Sequence, residues 1–123
     1  MKQPVAYVIG PYRADTIWQV TENIRKARLT AAHLWKLGYA VLCPHLNSAL
    51  MDGLVSDEQF LEAGLRFVEL SDLVVMTQPD ADLISSGSGN ELDRAINMDI
   101  YIYRRLADVP TAAEFCKPNG GIA

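Results

Sequence analysis

Two kinds of apolar pattern alternate along the chain. Val5-Ala6-Tyr7-Val8-Ile9 is an unbroken β-branched and aromatic run that stops at Gly10-Pro11, which predicts a strand buried on both faces. Val20, Ile24, Ala27, Ala31 and Leu34 then recur at spacings of 4, 3, 4 and 3, one buried face of a helix. Glu22, Arg25, Lys26 and Lys36 fall off that stripe, Asp15 or Thr16 can cap its start, and Gly38 stands where a helix-ending glycine belongs. Tyr39-Ala40-Val41-Leu42 predicts a second short strand, ended by Pro44. The Asn-, Ser-, Asp- and Gly-containing stretch from His45 to Ser56 reads as a loop, after which Ser56 and Gln59 fit the capping box of a second helix. Its expected apolar face is Phe60, Leu61, Leu65, Val68 and Leu70. Asp72-Leu73-Val74-Val75-Met76 predicts a third strand and Thr77–Gly89 a loop. A third helix is expected from Asn90 to Met98, then a last strand at Ile100-Tyr101-Ile102-Tyr103.

Buried strands joined by helical crossovers must pair in parallel. The expected class is therefore α/β: a flavodoxin-like or Rossmann-like doubly wound parallel sheet of four to five strands, in three α/β/α layers. Residues 1–106 form one domain in this reading. Ala107–Ala123, with its two prolines and Asn119-Gly120-Gly121, reads as a C-terminal tail, loosely ordered or packed on a partner subunit. No internal repeat or linker interrupts the pattern.

Composition narrows the partners. The 123 residues include 15 acidic and 11 basic side chains, for a formal charge of −4, with no run of Lys or Arg, so a nucleic-acid partner is not expected. Neither is a membrane, because no apolar stretch approaches the ~20 residues that span a bilayer. The apolar run behind Met1-Lys2-Gln3-Pro4 is too short for a signal peptide's core, and two isolated cysteines make no disulfide framework. These features together predict a cytoplasmic protein. No His, Cys or Asp cluster has metal-ligand spacing, so neither a metal nor another cofactor is expected.

Ligands of doubly wound sheets sit outside the carboxyl ends of the strands, here marked by Gly10-Pro11-Tyr12-Arg13, Cys43-Pro44-His45 and the Thr77–Gly89 stretch. Within the last, Ser85-Ser86-Gly87-Ser88-Gly89 lets a ligand approach the backbone closely and leads into a helix whose free N–H groups face the same space. Glu91 then falls in the first helical turn. It is either a site residue or merely an acid that complements the helix dipole. The segment has neither the lysine of a P-loop nor the dinucleotide glycine pattern.

Three stretches bear a family resemblance: Tyr7-Val8-Ile9-Gly10-Pro11-Tyr12-Arg13, Asp72-Leu73-Val74-Val75-Met76, and Ser85-x-Gly87-x-Gly89-x-Glu91-x-x-x-Ala95. In order and spacing they resemble the nucleoside 2-deoxyribosyltransferase superfamily, in particular its small bacterial and phage relatives. The last stretch is also similar to the 2′-deoxynucleoside 5′-phosphate N-hydrolases, which share the serine at its start. The resemblance runs from Val5 to Tyr103. It implies cleavage or transfer at the N-glycosidic bond of a nucleoside or nucleoside 5′-monophosphate, through a glycosyl-enzyme ester formed on Glu91. A carboxylate suits that chemistry, since it stabilises an oxocarbenium-like transition state and is itself the nucleophile.

The resemblance implies roles for other residues, each with a plainer alternative. Tyr7 is either simple core or a hydrogen-bond partner of the nucleophile. Arg13 is either a surface arginine or a holder of a 5′-phosphate. Ser85 and Ser88 are either ordinary loop residues or donors to sugar or phosphate, with Ser85 the better placed. Gly10, Pro11, Gly87 and Gly89 shape the pocket, and His45 lines it. Asp72 shapes the entry of its strand, His33 is structural, and Trp18 and Trp35 belong to the core or a subunit interface. One departure stands out: where the family carries an aspartate that contacts the base, this chain has Gly64, and Glu62 lies on another side of the helix. An alternative function follows, a nucleotide-binding module of the same fold with little or no turnover. A third class, a flavodoxin-like regulator, gives Glu91 no role and leaves the Ser/Gly segment unexplained. Short strand-end loops, and oligomers in the family that share pocket residues, imply a homo-oligomer.

Overall fold

The computed structural model describes residues 2–117. Strand β1 spans Val5–Ile9, as the sequence predicts, followed by α1 (Ile17–Lys36), β2 (Ala40–Leu42), a single turn α2 (Pro44–Asn47) and α3 (Asp57–Glu69). Then come β3 (Leu73–Met76), a second single turn α4 (Ala81–Ile84), α5 (Ser86–Asn97), β4 (Tyr101–Tyr103) and α6 (Ala112–Phe115). The four strands are all parallel, in the order β2-β1-β3-β4. From β1 the chain crosses to β2 on one side and then returns past β1 to β3. The carboxyl ends of β1 and β3 therefore flank the point where the winding reverses, the usual place for a ligand crevice.

Strand side chains alternate between two cores. Ala6, Val8, Leu73 and Val75 pack with Ala27, Ala31 and Leu34 of α1. Tyr7, Ile9, Val74 and Met76 pack with Val68 of α3, Ala81 of α4, and Leu92 and Ala95 of α5. The result is three layers, helix–sheet–helix, as expected. Thr16 caps α1 by accepting from the Gln19 N–H at 3.1 Å, and Gly38 ends it at φ +99°, where a side chain would be strained. Asp72 ties the sheet's start: its carboxylate accepts from Val5 N–H and its own N–H donates to Val5 O, both at 2.8 Å. No helix among the described residues is long and apolar enough to cross a membrane.

Several expectations are corrected. The stretch after Pro44 is not all loop, because α2 forms at its start, and Ala81–Ile84 interrupts the second expected loop. Helix α5 begins at Ser86 rather than Asn90: Ser85, capping through its own side chain, makes the Ser/Gly segment the first turn. On α3 the inward residues are Gly64 and Val68, while Leu61 and Leu70 are exposed; Ser56 accepts from Gln59 N–H at 3.2 Å as a simple cap. Trp18 and Trp35 of α1 are exposed at 72% and 56%, so neither belongs to the core. The segment from Ala107 to Lys117 does not behave as a tail. Val109, Ala112 and Phe115 are built into the α1 core, Ala112 N–H donates to Leu37 O at 2.8 Å, and Tyr39 Oη donates to Pro110 O at 2.7 Å. The Asn119-Gly120-Gly121 part of that expectation lies outside the described residues.

Candidate active site

A cavity of about 730 Å³ opens at the carboxyl ends of the strands, within the ~300–1,000 Å³ usual for small-molecule sites. Of the residues singled out in the sequence, Tyr7, Gly10, Arg13, His45, Ser85, Gly87, Ser88 and Glu91 all line it. Pro11 and Gly89 do not. Pro11 is buried beside the cavity with its carbonyl accepting from His45, and Gly89 packs on α4, where an added Cβ would lie 3.4 Å from Asp82 O. Gly10 is fixed by packing too, because a Cβ there would sit 2.7 Å from the Cγ2 of Thr77, just past β3.

Glu91 is the chemical centre. It is the sixth residue of α5, one turn deeper than its expected place in the first turn, so the free N–H groups at the helix start do not serve it. Tyr7, fully buried on β1, donates its hydroxyl to Glu91 Oε2. Burial pushes the Glu91 carboxyl up from the ordinary 4.5 to about 7, and the Tyr7 hydrogen bond acts in the opposite direction. Glu91 is therefore not an acid that complements the helix dipole: Tyr7 is the donor that favours its charged form. Burial, together with the neighbouring carboxylate, pushes the Tyr7 phenol far above its ordinary range, so it remains a donor.

Gly64 of α3 explains how the pair fits. A Cβ at this position would lie 2.8 Å from Glu91 Oε2 and 3.3 Å from Tyr7 Oη. The space a side chain at position 64 would need is taken up by the Glu91 carboxylate itself. Glu62 is exposed and does not line the cavity.

The rest of the wall is mainly apolar, with Met51, Val55, Phe60, Leu61, Phe67 and Ile84 among its residues, and it carries a few polar groups. His45 of α2 is 4% exposed, and its Nε2 lies 3.0 Å from both Gly10 O and Pro11 O. Arg13 pairs with Asp57 at 2.6 Å, both side chains being well exposed at the cavity mouth. Tyr12 donates to Asp52 Oδ1 at 2.7 Å and accepts from Leu50 N–H at 2.8 Å, which ties the 48–56 loop over one side. Leu50 there adopts φ +60°, a left-handed conformation uncommon for a leucine. Tyr12, Asp52 and Asp57 were missed by sequence reasoning. Their partners lie 38 to 44 positions away, and no local pattern encodes such pairings. A smaller cavity of about 390 Å³ beside β2 is lined by Trp35, Cys43 and Leu46 without any carboxylate or cation, and burial pushes the Cys43 thiol up to about 11. Among the described residues no group of three or more His, Cys, Asp or Glu side chains is placed to hold a metal ion.

The arrangement provides a carboxylate poised between its two protonation states, a fixed phenol donor, a helix start and an arginine, all lining one open cavity. Among curated proteins none matches the chain. A family match extends over residues 4–105, from the start of the sheet to just past β4 and across every residue that lines the cavity: the chain belongs to the family described as "Domain of unknown function (DUF7768)".

Proposed function

We propose that the protein cleaves, or transfers at, the N-glycosidic bond of a nucleoside or nucleoside 5′-monophosphate, with Glu91 as nucleophile. The observation that carries this reading is the Tyr7–Glu91 pair, lining a cavity at the switch point of the sheet. A Glu91 carboxylate oxygen attacks the anomeric carbon as the bond to the base breaks. The electron pair leaves with the base nitrogen, which takes a proton from solvent. Water, or a second base, then attacks the same carbon and releases the carboxylate. Incubation with 2′-deoxynucleosides and their 5′-monophosphates, followed by chromatography for free base, tests the reading. The Gly64 departure favours a second reading, binding of the same ligands without turnover, and for that reading the same chromatogram shows no free base.

The nucleophile must be ionised. With a carboxyl at about 7, kcat/KM is expected to rise roughly tenfold per pH unit below that value and level off above it. Tyr7→Phe removes the donor that favours the charged form, so the midpoint moves to higher pH. A profile flat from pH 5.5 to 8, or one unmoved in the Phe variant, contradicts the assignment.

A 5′-phosphate has a place in this site at the cavity mouth. The first-turn N–H groups of Ser86 and Gly87 have no helical acceptor, and Arg13 lines the same cavity. Asp57 competes for that guanidinium. Arg13→Ala is expected to weaken monophosphate binding about 10-fold with nucleoside binding unchanged, and Asp57→Asn to strengthen it. Equal affinity of the natural protein for nucleoside and monophosphate, measured by titration calorimetry, sinks this part of the proposal.

The same reading extends to a homo-oligomer in which a neighbouring copy helps close the site. Exposed Leu50, Met51 and Leu54 in the 48–56 loop, and Trp18 on α1, supply apolar surface for such a contact. Sedimentation at micromolar concentration is expected to give a dimer or larger species. A fully active 13.6 kDa particle rules it out.

A further inference from the structure

Breaking an N-glycosidic bond leaves an electron pair on the base nitrogen, and a neutral base departs poorly unless that nitrogen gains a proton. Among the described residues that line the cavity, no side chain is placed to give one. Tyr7 donates to Glu91 Oε2, and burial holds its phenol far above the ordinary range. Tyr12 Oη has both roles filled, as donor to Asp52 and acceptor from Leu50 N–H. His45 Nε2 lies 3.0 Å from two carbonyl oxygens and Nδ1 is shut off from solvent. Burial also pushes the pKa of that imidazole down, so the ring stays neutral. Asp52 and Asp57 act as acceptors, from Tyr12 and Arg13, and a guanidinium does not release its proton. Glu91 is spent as the nucleophile in the reading above, and the position of α3 that faces it is Gly64. Solvent is the remaining source of a proton.

The wall offers something else. Phe60 and Phe67 stand four residues before and three residues after Gly64, on the same helical face, and both are half-buried and line the cavity. Two aromatic side chains therefore flank the point where the Glu91 carboxylate meets α3. Aromatic faces attract cations, and so do carboxylates. Among the described residues, the charged side chains on the wall are Asp52, Asp57 and Glu91 against Arg13, which Asp57 already pairs.

We propose that the cavity takes a nucleoside or nucleotide whose base is a positively charged aromatic ring, seated beside Glu91 against the Phe60–Phe67 face of α3. The proposal deepens the nucleoside reading above and rests on it. As the bond from the anomeric carbon to the ring nitrogen breaks, its electron pair neutralises the ring, and the departing base needs no proton. A Glu91 oxygen takes the nitrogen's place as an ester. Water then attacks the same carbon, gives a proton to solvent and releases the carboxylate. Two sources share this chemistry, an N-alkylated purine and a pyridinium.

Two 2′-deoxyribosides whose rings are joined through carbon, and so cannot be cleaved, read the charge preference of the natural full chain. One bears an N-methylpyridinium ring, the other the neutral tolyl ring of the same shape. In titration calorimetry at about pH 8, where the Glu91 carboxyl at about 7 is mostly ionised, the cation is expected to bind on the order of 10-fold more tightly. Phe60→Leu keeps an apolar side chain and is expected to lose part of that preference with tolyl affinity unchanged. Equal or weaker binding of the cation, binding of neither probe, or a preference untouched in Phe60→Leu overturns the proposal. Base release is measured separately on 7-methyl-2′-deoxyguanosine, the 2′-deoxyriboside of nicotinamide and, as neutral reference, 2′-deoxyguanosine, each relative to its uncatalysed rate. The cationic nucleosides are expected to be accelerated at least as much as the neutral one, and the better of the two names the source. A site with an acid of its own accelerates 2′-deoxyguanosine more, and that result also overturns the proposal. Release of guanine without any preference for the cationic probe leaves the proposed function standing and removes this inference. A cation preference without release of any base does the reverse.

Discussion

Under the proposed function, Glu91→Gln is expected to abolish base release, by on the order of 10³-fold or more, while the protein folds as before or better. The amide keeps the shape of the side chain and can still accept from Tyr7, but it cannot form the glycosyl ester. The folding half of this result follows from linkage. The folded-state carboxyl titrates at about 7 against an ordinary 4.5, so between those values the folded protein holds a proton that the unfolded chain releases. Stability therefore falls as pH rises through that window, by about 2–3 kcal/mol for a group of this burial. Gln carries no such penalty. At pH 5 the variant and the natural protein should unfold at similar denaturant concentrations, and at pH 8 the variant should be the more stable. Loss of activity with this reversed pH dependence separates a functional carboxylate from a structural one. Undiminished base release in the variant would end the assignment, and a variant less stable than the natural protein at pH 8 would show that the carboxylate contributes to folding after all.

Phe115→Ala costs about 3–5 kcal/mol, a large share of the ~5–15 kcal/mol that holds a domain of this kind together. Phe115 has no exposed surface, and its ring meets Tyr39 and Tyr101 edge-on at centroid distances of 6.1 and 5.1 Å. Truncation removes both aromatic contacts and opens a cavity between α1, α6 and the sheet, which the short α6 cannot collapse to fill. Thermal unfolding should shift down by about 10–20 °C. Leu83→Ala, at a position 84% exposed, provides the control and should change little. A shift of only a few degrees in Phe115→Ala would mean that the segment after β4 is a peripheral strap rather than part of the core.

That segment shows where reading the chain stops being sufficient. Ala107–Lys117 has no long periodic stripe, and its α-helix is four residues long, too short to leave a hydrophobic period. What places it is the acceptance of Ala112 N–H by Leu37 O and the burial of Phe115 under the sheet, contacts made across the whole length of the chain. The start of α5 was misplaced for a related reason. Two glycines and three serines have low helix propensity, and the Ser85 cap together with packing on α4 overrides it. The one-turn shift moved Glu91 away from the helix end and changed what controls its protonation.

Sequence alone was sufficient for the elements whose signal is local and long: β1 to the residue, α1 with its Gly38 end and a cap at Asp15 or Thr16, the parallel pairing that alternating strands and helices require, and the group of side chains gathered at the strand ends. Burial periodicity, capping chemistry and the handedness of crossovers are properties of neighbouring residues, so they are written along the chain. The carboxyl of Glu91 at about 7, the room that the glycine at 64 leaves for it and for Tyr7, and the Arg13–Asp57 pair are not. Each depends on how closely two distant elements approach and on how much water is left between them, and those quantities exist only once α3 and α5 have packed against the sheet.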